Sequence, residues 1–129
     1  MKALILMTNG RTVTVNTPDE ITCDWIARSI DCEWVEIVRP KRLEKGYVIV
    51  CDEEGALHPN FINVAASWLY ETDKHGEPIV GHVMILREVM GPEGPEFAGM
   101  SDEDAEELAE KYGNADSINE WHMKIRKKL

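Results

Sequence analysis

The sequence predicts an α+β domain: a mostly antiparallel sheet with an N-terminal β-hairpin, packed helices and a C-terminal helix. Three observations carry that expectation. Two short β-prone runs, at 3–7 and 12–15, are separated by a turn sequence containing Asn9-Gly10. The run Tyr47-Val48-Ile49-Val50-Cys51 is apolar throughout and has strand length. The elements then follow in the order ββα, two strands, a short helix, a strand and two helices, which suits a sheet with segregated helices.

Thr8-Asn9-Gly10-Arg11 between alternating runs reads as a tight hairpin turn of type I′, in which both central residues take positive φ. Thr17-Pro18-Asp19-Glu20 has the signature of a helix start, with Thr17 as cap, Pro18 in the first turn and Glu20 closing a capping box. Ile21, Trp25, Ile26 and Ile30 form the stripe of that helix, which ends near Asp31. Residues 33–38 have strand length with apolar residues on both faces, and Arg39-Pro40 ends them. The basic connection 40–46 carries Lys41, Arg42 and Lys45, and the apolar run 47–51 after it fits a central strand. Leu57 is expected in a short returning strand. Asn63 caps a helix over 64–70, and 73–78 is a loop. The longest β-prone run is 79–89, where Gly81 suggests a bulge. The Gly- and Pro-rich stretch 90–99 reads as a loop or linker. Ser101 then caps a helix with an acidic first turn, and Gly113 stops it. Ile118, Trp121, Ile125 and Leu129 form a last helical stripe. Residues 1–112 thus make a single α+β domain, and 113–129 a C-terminal helical extension packed on it or on a partner. The Trp121 stripe suits either closure of the core or a homo-oligomer.

The 129 residues include 24 acidic and 14 basic ones, for a net charge of −10. That balance speaks against direct nucleic-acid binding, which needs clustered Lys and Arg against phosphate. Three cysteines, Cys23, Cys32 and Cys51, form no CxxC pair and suit reduced thiols. The apolar start is too short for a signal-peptide core or a membrane span, so a cytoplasmic protein is expected, with no membrane contact.

No coherent catalytic set emerges, so no catalytic residue, cofactor or metal is expected. The histidines lack metal-ligand spacing, although Cys51, His58 and His82 can be imagined meeting across the fold. A small hydrolase using Cys51 or His58 is the weakest of three readings. Phosphate-binding motifs are absent, but the start of the helix at Asn63, with Arg39, Lys41 and Arg42 nearby, is the better candidate for an anionic ligand or partner. Within the acidic run of that helix, Asp102, Glu103, Glu106 and Glu107 make a candidate acidic partner surface, suited to mimicry of DNA toward a DNA-binding host protein. A solvated helix face, with acids that suit the positive end of the helix dipole, is the favoured explanation of them.

MKALI, WVEIV, YVIVCDEEG, NVAASWLY, IVG and FAGMSDEDAEELAEKY, taken in order, resemble a group of small proteins of phages and conjugative elements that share a domain of unknown function. The resemblance covers roughly the first 112 residues, departing at 58–62 and in the basic C-terminal helix. It implies a mobile-element accessory protein in a bacterial cytoplasm and assigns no residue a role. The leading expectation is therefore a non-catalytic binding protein that modulates or antagonises a host process, through a host defence protein or a small nucleotide signal.

Overall fold

The computed structural model describes residues 1–57, 61–74 and 76–128. In chain order the elements are β1 (Lys2–Leu6), β2 (Thr12–Asn16), α1 (Cys23–Ser29), β3 (Val35–Val38), β4 (Tyr47–Asp52), a 3-10 turn (Gly55–Leu57), α2 (Val64–Leu69), β5 (Val83–Gly91), β6 (Gly94–Ala98), α3 (Asp102–Tyr112) and α4 (Ala115–Lys128). The expected α+β class is the observed one. The six-stranded sheet has the order β2-β1-β5-β4-β3, and β6 extends it by pairing with the far half of β5. All the pairings between strands are antiparallel.

Alternation of side chains along the strands builds two cores. Leu4, Leu6, Ile49, Cys51, Val83 and Ile85 meet Ala66 and Leu69 of α2 and Leu108 and Tyr112 of α3 on one face. Ala3, Ile5, Val48, Val50, Met84 and Leu86 meet Ile26 and Ile30 of α1 on the other. Helices on both faces explain why β1, β4 and the first half of β5 are nearly continuous apolar runs. The two covers are unequal. Helix α1 has seven residues, about 10 Å of length, against a sheet more than 20 Å wide at about 4.8 Å per strand. Ile37 and Val13 on that face therefore remain 36% and 40% exposed.

Several local expectations are corrected. The first hairpin is not closed by a type I′ turn: Gly10 alone has positive φ (86°), and Asn9 does not. Gly10 N–H donates to Met7 O and Met7 N–H to Arg11 O, the pattern of a three-residue turn with a glycine bulge. Thr17 caps no helix, because its N–H and hydroxyl both bond Met1 O and extend the β1–β2 ladder. Thr22 is the cap instead, accepting from Trp25 N–H at 3.1 Å. Gly81, at φ 90°, separates Ile79 and Val80 from β5, which starts only at Val83. The 90–99 stretch is no linker but the β5–β6 hairpin. Pro95 is tolerated because β6 is an edge strand, where a missing N–H breaks no inner ladder. Leu57 belongs to the 3-10 turn and is 79% exposed, not in a returning strand.

Candidate functional site

The connection 39–46 determines where the basic residues go. It leaves β3, crosses the end of the sheet and enters β4, and its side chains are shared out among the elements it passes. Leu43 drops into the core of the helix-rich face. Glu44 accepts from the Tyr112 hydroxyl, with both oxygens at 3.1 Å, and pairs with Lys111. Burial raises the Glu44 carboxyl, but Lys111 and Tyr112 outweigh it and hold the group below its ordinary range. Burial beside that carboxylate pushes the Tyr112 phenol up to about 12.

Arg42 turns inward. Its guanidinium makes a two-pronged contact with Asp73 at 2.7 and 3.1 Å, donates to Trp68 O at 2.8 Å, and lies 3.8 Å from the centroid of the Trp68 ring. A cation on the last carbonyls of α2 is where the helix dipole favours it. The Trp68 ring in turn stacks on Trp121 of α4, with centroids 5.5 Å apart and planes 6° from parallel. Only 19% of the Arg42 side chain is exposed.

Arg39 goes the other way. It lies on the α1 side of the sheet, 57% exposed, and forks onto Glu88 of β5 at 2.8 and 2.6 Å. This pair stands at the rim of a cleft of about 470 Å³ that includes Ile21, Ile37 and Phe97. The cleft exists because α1 is too short to reach across β3 and β6. Asp19, Glu20 and Glu96 complete a mainly acidic wall. Lys41 is exposed and shares with Arg39 a groove of about 480 Å³ along β3.

Asn63 is fully buried. Its Oδ1 accepts from Ala66 N–H at 3.1 Å, and its Nδ2 donates to Leu6 O and Gly81 O at 2.8 and 2.9 Å. The structure thus brings Arg39 and Lys41 to one surface, commits Arg42 to α2, and keeps Asn63 in the core. Sequence reasoning overlooked Ile21, Glu88 and Phe97. Phe97 lay in the Gly/Pro-rich stretch, whose alternation was hidden behind its turn signals.

Asp102, Glu103, Glu106 and Glu107 are all exposed along α3, and none has an ion-pair partner among the described residues. Burial pushes the Cys51 thiol up to about 12, with nearby Glu36 and Asp52 adding to it, and its Sγ donates to Glu36 O at 3.7 Å. Such a thiol is not ionised near neutral pH and is a poor nucleophile. His82 accepts from Thr8 N–H at 3.2 Å. His58 lies outside the described residues. Among those residues no three potential metal ligands converge, and no helix is long and apolar enough to cross a membrane.

A six-stranded antiparallel sheet covered by helices on both faces, with an open cleft beside the shorter cover, defines the structural class. The chain belongs to the family described as "Domain of unknown function (DUF3846)", whose profile matches residues 1–113, ending at the glycine that closes α3. No curated protein and no solved structure matches the chain.

The Arg42 contacts set a pH dependence. The hydrogen bond from Arg42 holds the Asp73 carboxyl below its ordinary value. A depressed carboxyl contributes stability that is complete above the unfolded value of about 3.9 and is lost as pH falls through the folded value. Asp73→Asn should therefore be less stable than the wild type at pH 6 by about 1–3 kcal/mol, and this gap should narrow toward pH 3. Urea unfolding at pH 6, 4 and 3 measures it, and a constant gap would contradict the assignment.

Proposed function

We propose that the chain is a non-catalytic binding protein of a phage or mobile element that modulates or antagonises a host process. The observation that carries this reading is the cleft on the thinly covered sheet face, where Ile37 and Phe97 lie beside the exposed Arg39–Glu88 fork. Apolar surface beside a planar cation is the composition of binding hot spots. Asp19, Glu20, Glu88 and Glu96 around a single arginine repel phosphate, so a host protein, such as a defence protein, fits better than a small nucleotide signal. The resemblance of MKALI, WVEIV and YVIVCDEEG to phage and conjugative-element proteins supports the source. Three free thiols support a reducing bacterial cytoplasm.

The test is calorimetric titration against a panel of host defence proteins and a panel of cyclic nucleotides. A protein partner should bind, and Arg39→Ala or Phe97→Ala should each weaken it at least tenfold, about 1.4 kcal/mol. No binding in either panel, or binding indifferent to both changes, would count against the cleft.

A second reading is an acidic DNA mimic. Asp102, Glu103, Glu106, Glu107 and Glu110 are exposed on α3 and span about 12 Å at 1.5 Å per residue. One charge per roughly 2–3 Å is close to the axial charge density of DNA, about one per 1.7 Å for both strands. Neutralising Asp102, Glu103, Glu106 and Glu107 together should abolish capture of a DNA-binding host protein and leave the far-UV spectrum unchanged. Capture that survives these changes rules the mimic out.

A further inference from the structure

The two edges of the sheet differ in chemistry. At the β3 edge, Glu33 and Glu36 are exposed and Arg39-Pro40 follows the strand, so charge and proline guard it against further pairing. At the β2 edge the strand is Thr-Val-Thr-Val-Asn, with no charge and no proline within it, although Arg11 precedes it and the Lys2 ammonium donates to the Asn16 side chain at its far end. Nothing among the described residues pairs with its outer side.

The ladder identifies which backbone groups are open there. Thr17 N–H bonds Met1 O, Met7 N–H bonds Arg11 O, and Lys2 and Met100 exchange both of their bonds on the other side of β1. Odd residues of β1 therefore bond β2, and with the register Ile5–Val13 and Ala3–Val15 the odd residues of β2 bond β1. The N–H and C=O groups of Thr12, Thr14 and Asn16 point outward.

Side chains beside this edge differ on the two faces. On the α1 side stands Val13, 40% exposed, with Val15 next to it packed on the core. On the other side α3 packs across β1 and β2, with Gly113 against Thr12. Lys111 of α3 pairs with Glu44, just before β4, and the Asp104 carboxylate is near enough to the Tyr47 phenol of β4 to help burial raise it, so that flank of the helix looks toward β4. At 100° per residue, Asp102 and Glu106 lie on the opposite flank, above β2.

We infer that the outer edge of β2 takes an extended segment of a partner protein in which basic and apolar residues alternate. The segment adds a strand to the sheet, its basic side chains reaching Asp102 and Glu106 and its apolar ones lying against Val13. A second copy of this chain fits less well. Two-fold pairing of β2 with itself brings the Asp102 and Glu106 flanks of two α3 helices toward each other, like charge to like. The β2 edge and Arg39, which follows β3, stand at opposite ends of the strand order, and the open groups of Thr12, Thr14 and Asn16 do not line the cleft, so the two surfaces are tested separately.

The probe is a synthetic Lys-Val-Lys-Val-Lys-Val-Lys peptide titrated into the isotope-labelled full chain. Amide exchange at Thr12, Thr14 and Asn16 should slow at least tenfold on binding, while Val13 and Val15, already bonded to β1, change little. The Asp102→Asn/Glu106→Gln double variant should weaken binding about tenfold, and a Glu-Val peptide should not bind. N-methylation of alternate peptide amides should abolish binding in one phase and spare it in the other, a control that leaves the protein untouched. Absence of protection at millimolar peptide, protection confined to other residues, or equal binding of the acidic peptide overturns the proposal. So does concentration-dependent protection of the same three amides without peptide, which assigns the edge to a second copy.

Discussion

The buried amide of Asn63 engages both of its N–H donors and its carbonyl oxygen with partners inside the protein, and the helix-rich layer depends on it. Its Oδ1 starts α2, while its Nδ2 ties that start to β1 through Leu6 O and to the bend before β5 through Gly81 O. Its own N–H bonds Ile79 O, so backbone and side chain are held together. A buried polar group is tolerated only when satisfied, and here satisfaction fixes the height and direction of a six-residue helix. A helix so short has little stability of its own and needs such tertiary anchoring. Once α2 is placed, Trp68 is placed, and Arg42 and Trp121 both rest on it.

That dependence explains why neighbouring basic residues have unlike fates. Arg42 reaches a helix C-terminus, the Asp73 carboxylate and an aromatic face at once, and desolvation makes each contact stronger. Arg39, three residues earlier, meets one carboxylate in water, where an ion pair contributes little to stability. A residue that stability does not require is free to serve recognition. The same logic separates the thiols: burial keeps Cys51 neutral and makes it core material.

Much of the fold was legible from the chain. The apolar run 47–51, the caps Asn63 and Ser101, and the stop at Gly113 each carry their signal within a few residues, and each stands where expected. The errors have a common physical source, since local signals fit more than one tertiary setting. Thr17-Pro18-Asp19-Glu20 has a good capping sequence, but the β-ladder claims Thr17 first. Gly and Pro in 90–99 mark a turn and an edge strand as readily as a linker. Of the site, the exposed position of Arg39 and Lys41 was readable from a polar connection between strands. The separation of Asn63 and Arg42 from them was not, because it depends on Leu6, Gly81, Trp68 and Asp73, which lie far apart in sequence.

Urea unfolding of Asn63→Ala tests the central dependence most directly. Loss of a helix cap at about 1 kcal/mol and of partners for two buried carbonyls at about 1 kcal/mol or more each gives an expected loss of about 3 kcal/mol. Near-ultraviolet dichroism should change with it as the Trp68–Trp121 stack loosens. A loss under about 0.5 kcal/mol, the range of an ordinary surface change, with the aromatic signal intact, would contradict the role given to Asn63.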